Sequence, residues 1–185
     1  MKNIRLAIFI LVALAQLSVP AMMAWTRVRT LAEGRVWKFK TAPVDPEDAL
    51  RGRYVTLRFD AEDFTQSEQL KFIDSIYAIL KEGPDGFAQV DHLSSSPVPP
   101  ESAMKVEPGG WWQERQHIVF PFRYFWLTEK SAPQAEKAYV ENSRRGQQNA
   151  FVTVRIRNGD AALEQLYIDN KPLAEYLRAQ VAAKK

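Results

Sequence analysis

A chain of 185 residues has room for one domain, and with 46% hydrophobic and 25% charged residues it can bury a packed core rather than remain disordered. The absence of cysteine excludes disulfides, thiolate zinc sites and thiol catalysis. The formal charge is +3, of which Lys2 and Arg5 supply two; the remainder carries only +1 and lacks the concentrated basic face that a nucleic-acid binder needs.

Leu6 to Trp25 holds no charged residue. Its roughly 20 residues suffice to cross a hydrocarbon core of ~30 Å in helical form. Trp25 stands where an interfacial aromatic belongs. A cleaved signal peptide would carry a shorter apolar region and a small-x-small site, of which Val19-Pro20-Ala21 is a poor version. Residues 1–25 therefore read as a retained transmembrane anchor and 26–185 as a single β-rich domain; a cleaved leader and a buried helix are the alternatives. The count of positive charges, with Arg27, Arg29, Arg35, Lys38 and Lys40 after the span, favours a domain inside the cytoplasm. The short basic tail before an N-terminal apolar segment is a signal-anchor layout and favours a domain outside.

Further along, Gly34 is expected to end the helix. Residues 35–41 alternate as a first strand. Pro43 and Pro46 hold the chain extended through an acidic turn. Residues 53–60 form a strand with Val55, Leu57 and Phe59 on one face and Tyr54, Thr56 and Arg58 on the other. A polar connection fills 61–73. Residues 75–81 and 86–92 flank a turn at Glu82-Gly83-Pro84-Asp85, and Pro108-Gly109-Gly110 reads as another turn. Strands are expected at 115–120 and 123–127, interrupted by Pro121. Ser131 to Gln134 resembles a capping box opening a helix to about Arg145. Residues 149–157 and 161–169 form a hairpin whose Asn158-Gly159 suits a two-residue type I′ turn, with Arg157 and Asp160 pairing across it. Pro172 starts a terminal amphipathic helix. The sum is about eight short strands and two helices after the anchor. The predicted fold is mainly β with minor α: a curled antiparallel sheet or partly open barrel.

The stretch Asp45-Pro46-Glu47-Asp48-Ala49-Leu50-Arg51-Gly52-Arg53-Tyr54-Val55-Thr56-Leu57-Arg58-Phe59 resembles the signature of the GDYXXLXY family of membrane-anchored bacterial proteins. Trp25, Gly34, the block Phe122-Arg123-Tyr124-Phe125, Glu129 and the strand containing Leu166-Tyr167-Ile168-Asp169 extend the likeness over most of the chain. Arg53 stands where the motif has aspartate, and Phe59 where it has the last tyrosine, so an obligatory aspartate ligand or acid at that position does not carry over. The resemblance implies a single-pass protein of the cytoplasmic (inner) membrane with an extracytoplasmic domain. It also implies a polytopic membrane protein as the first partner to test, and it implies no assigned activity.

Chemistry is sparse. There is no Gly-x-Ser-x-Gly, His-Glu-x-x-His, Walker or dinucleotide motif. His92 and His117 are the only histidines, too few without a spacing pattern to define a zinc site. The clustered acids supply too few oxygens for calcium. No catalytic residue, metal or cofactor is expected. The acidic turn reads first as backbone shape, since aspartate and proline favour turns. As a contact surface it offers Asp45, Glu47, Asp48, Arg51, Arg53 and Tyr54, and Arg123 with Tyr124 forms a candidate ligand contact. The aromatics from Phe120 to Trp126 are expected inside the fold, and Trp111-Trp112 is the pair expected outside. Three functions follow: an accessory domain that docks on a membrane partner, a small-ligand carrier using a barrel interior, or a membrane-tethered Ser–Lys hydrolase.

Overall fold

The computed structural model describes residues 2–42, 54–65, 75–112, 115–128, 131–143 and 149–183. A single helix, α1 (Lys2–Glu33), leads into β1 (Arg35–Ala42). Then come β2 (Tyr54–Thr56), β3 (Arg58–Phe59), a 3-10 turn at Asp60–Glu62, β4 (Asp63–Thr65), β5 (Ile76–Glu82), β6 (Ala88–Ser94), β7 (Ala103–Trp112), β8 (Arg115–Val119) and β9 (Tyr124–Trp126). The chain closes with α2 (Ala132–Ser143), β10 (Ala150–Arg157), β11 (Asp160–Ile168), β12 (Lys171–Pro172) and α3 (Leu173–Ala183). The sheets run β12-β11-β10-β1-β3, β2-β9 and β4-β8-β7-β5-β6, with antiparallel neighbours throughout. Together they make a curled half-barrel.

Local sequence accounts for the main elements. The β10–β11 turn is built as expected, with Asn158 and Gly159 at φ 52° and 88°, the left-handed values a two-residue primed turn requires. Trp37 and Phe39 alternate inward along β1. The predicted strand over 53–60 keeps its alternation, with Val55, Leu57 and Phe59 buried, yet it divides at Leu57. Its first part pairs with β9 and its second with β1. This division, the unexpected ten-residue β7 and the three- and two-residue strands β4 and β12 raise the strand total among the described residues above the expected eight.

Three expectations need correction. Pro108-Gly109-Gly110 is no turn: it runs within β7, where the register shifts from Pro108↔Ile118 to Gly110↔His117. The extra residue forms a bulge, which tolerates the proline's missing N–H. Arg157 does stand opposite Asp160, but its guanidinium reaches Glu33 of α1 at 3.0 Å instead. Ser131 turns its hydroxyl back to the Thr128 carbonyl oxygen at 3.1 Å.

The interior is filled. Phe39, Phe59, Phe120 and Phe122 pack with ring centroids 5.1–5.9 Å apart. Beneath them lies the buried Glu62 carboxylate, which accepts from Phe59 N at 3.2 Å and Phe120 N at 3.1 Å. It ties the signature strand to the segment that follows β8. α2 closes one side through Tyr139, whose hydroxyl donates to the Ala42 carbonyl at 3.2 Å and whose ionisation is pushed up by burial.

Candidate functional site

The described part of the signature stretch, residues 54–59, places its apolar residues inside and one aromatic outside. Leu57 and Phe59 join the core, while Tyr54 projects from the other face of β2. In the β2–β9 ribbon Tyr54 stands opposite Trp126 and Thr56 opposite Tyr124. Residues two apart share a face, so Tyr54, Tyr124 and Trp126 meet. The Tyr54 ring centroid lies 4.7 Å from that of Tyr124 and 5.1 Å from that of Trp126, with Tyr124 and Trp126 6.3 Å apart. Trp126 is 68% exposed and Tyr124 45%. Tyr54 and Tyr124, assigned to separate candidate surfaces by the sequence, are thus one patch.

Tyr124 and Trp126, expected inside with the other aromatics of 120–126, are both exposed. Phe120 and Phe122 are buried as expected, and simple alternation would bury the even-numbered positions beyond them. The chain leaves β8 at Val119 and re-enters a strand at Tyr124. Across that break the phase reverses, so Phe125 packs against the core while Tyr124 and Trp126 face out. The signal was Pro121, which marks the break. The side chains of Trp111 and Trp112, and the candidates Asp45, Glu47, Asp48, Arg51 and Arg53, lie outside the described residues.

Arg123 borders the patch. Its carbonyl accepts from Leu57 N at 2.7 Å and prolongs the ribbon by one bond. Its Nε is buried without a hydrogen-bond partner. Cation–π contacts lie at other residues, with Arg35 4.5 Å from the Trp37 ring centroid and Lys40 5.0 Å from that of Phe87.

The family assignment fits this geometry. The family model described as GDYXXLXY protein matches residues 16–166, from the middle of α1 to β11. The chain belongs to the GDYXXLXY family. Searches of curated proteins and of solved structures gave no match. The GDYXXLXY match includes half of α1, so the apolar helix is part of the family pattern together with the β domain.

A second polar region lies in a groove of about 370 Å³ beside β6. Lys40 Nζ sits 2.7 Å from Asp85 Oδ2, which holds the Asp85 carboxyl below its usual range. Burial pushes Asp60 up, partly offset by Lys40. His117 bonds Asp63 at 2.7 Å across the β4–β8 pair, and His92 bonds Asp91 at 2.9 Å. Among the described residues no three His, Asp or Glu side chains converge as a metal site.

Proposed function

We propose that this GDYXXLXY protein is a membrane-anchored, extracytoplasmic accessory domain that docks on a polytopic membrane protein through the outer face of the β2–β9 ribbon. Asp45, Glu47, Asp48, Arg51 and Arg53 precede Tyr54 in sequence and complete the contact surface, with Arg123 at its border. One observation carries the reading: Tyr54, Tyr124 and Trp126 form a joined aromatic patch on the outer face of the β2–β9 ribbon, with Trp126 and Tyr124 exposed. Tyrosine, tryptophan and arginine are the residue types that dominate protein interfaces, because they combine large apolar area with a polar handle. α1 is long and apolar enough to cross a bilayer, as a signal sequence can also be. Retained as an anchor, it raises the effective concentration of the patch for any partner in the same membrane.

The carrier reading loses its main support, since the interior is occupied by the four phenylalanines and Glu62. A photocrosslinker at position 126 of the full-length protein, in intact cells, tests the docking. Adducts with one membrane protein are expected from position 126 and none from the exposed position 92 on β6. Tyr124→Ala should then weaken the interaction by about 2 kcal/mol, roughly 30-fold. Charge reversal at Asp45 and Arg53 should abolish recovery of the same partner. Equal adducts from both positions would remove the patch from consideration.

A further inference from the structure

The last third of α1 is joined to the sheet without a linker. Thr26 is half-buried, while Thr30 and Gly34, each four residues further on, are buried. Arg155 donates to the Gly34 carbonyl at 3.3 Å, and Arg157 holds Glu33 at 3.0 Å. Just before this weld, a groove of about 430 Å³ opens between α1 and the start of β11. That is the size of a small-ligand pocket, which runs from ~300 to ~1,000 Å³.

The lining of the groove changes character along the helix. Met22 and Met23 come first, 72% and 69% exposed, followed by Thr26 and Arg27, with Asp160 and Ala162 across from them. At about 1.5 Å per residue, Met22 and Arg27 are ~8 Å apart along the axis. The uncharged run ends at Thr26, immediately before Arg27. With that run in the hydrocarbon, the methionines lie on the acyl-chain side and Arg27 at headgroup depth. The small side chains of Ala161 and Ala162 leave the space open. Among the described residues neither Arg27 nor Asp160 enters an ion pair, because Arg157, the cross-strand partner of Asp160, is taken by Glu33. One groove therefore presents an apolar end, an unpaired cation and an unpaired anion.

We propose that this seam binds one zwitterionic phospholipid of the phosphatidylethanolamine class. Its acyl chain lies on Met22 and Met23, its phosphate faces Arg27, and its ammonium group faces Asp160. The charge pair matches a headgroup that carries both signs, and a purely anionic headgroup would set its net charge against Asp160. The inference rests on the reading of α1 as a membrane span.

Native mass spectrometry of the full-length protein, released from mixed micelles of phosphatidylethanolamine and phosphatidylglycerol, tests it. The expected result is one retained phosphatidylethanolamine per chain. Arg27→Gln should lower that occupancy about tenfold, the loss of one charge-assisted hydrogen bond. Asp160→Asn should shift the preference to phosphatidylglycerol. Both side chains are exposed, so both variants should melt like the parent. Identical adduct ladders of both lipids in all three proteins would overturn the site and leave the anchor standing. Release of the protein from membranes by alkaline carbonate without detergent would overturn anchor and site together.

Discussion

Asp60 shows how one side chain sets a pH response. Its carboxyl follows β3 at the floor of the Lys40 groove, where burial raises its pKa and Lys40 only partly restores the charged form. A carboxyl whose folded pKa exceeds its unfolded value binds its proton more tightly in the folded state. It therefore costs stability above the folded pKa, and that cost is relieved as pH falls to the unfolded value. Asp60→Asn is expected to raise the melting temperature at neutral pH, with the gain fading in the acid range; thermal melts of both proteins at several pH values check this. A gain that persists unchanged at low pH would mean that Asp60 is not held by burial. Individual side chains were unevenly legible in the sequence. Leu57 and Phe59 were placed correctly because two-residue periodicity dictates an inward face wherever a strand is continuous. Trp126 was misplaced because periodicity says nothing once a strand ends and another begins. Nothing local in the sequence marked Glu62 as buried, since its burial depends on the Phe120 backbone N–H, 58 residues away, as well as on that of Phe59.

Elements were readable where turn chemistry and alternation agreed. The β10–β11 hairpin was written in Asn158-Gly159 and in the pattern on either side, while its bulge at Thr153/Val154 and the turn of Arg157 toward Glu33 left no local mark. The strand over 53–60 gave an unbroken alternation, yet its two halves belong to different sheets, because pairing partners distant in sequence leave no local mark. The α1–β1 junction is a third case. Gly34 stops the helix as expected, but the reason is crowding rather than a left-handed turn. A Cβ at this position would lie 2.5 Å from the Thr30 carbonyl oxygen and 3.1 Å from both Arg155 Cβ and Ile156 N. Two of these are backbone atoms, which cannot swing away. Gly34→Ala should therefore destabilise the domain by about 1–3 kcal/mol, the usual cost of overpacking. Urea unfolding of the detergent-solubilised protein measures it, and a neutral result would show that the helix can lift from β10.

In the proposed function α1 is a retained anchor, and its direct continuation into the sheet bears on which side of the membrane the β-rich part lies. Three of the cations after the span are held in ion pairs. Arg29 pairs with Glu33 at 3.2 Å, Arg35 with Glu82 at 3.9 Å and Lys40 with Asp85 at 2.7 Å, all as parts of the folded unit. The positive-inside bias operates on short loops of up to about 60 residues, and long domains translocate largely regardless of charge. Read as such a domain, residues 26–185 leave Lys2 and Arg5 their influence while the count on the other side loses its own. The expected topology is a cytoplasmic N-terminus and an extracytoplasmic β domain. A reporter fused after Lys185 that is active only outside the cytoplasm should give full signal, and one that fluoresces only in the cytoplasm should stay dark. Deleting Lys2 and Arg5 together should reduce the outside signal, since the N-terminal side then loses both of its side-chain cations. A bright cytoplasmic reporter in the parent protein would reverse the topology. The aromatic patch would then face cytoplasmic partners, while the lipid seam, which depends only on depth along α1, would be unaffected.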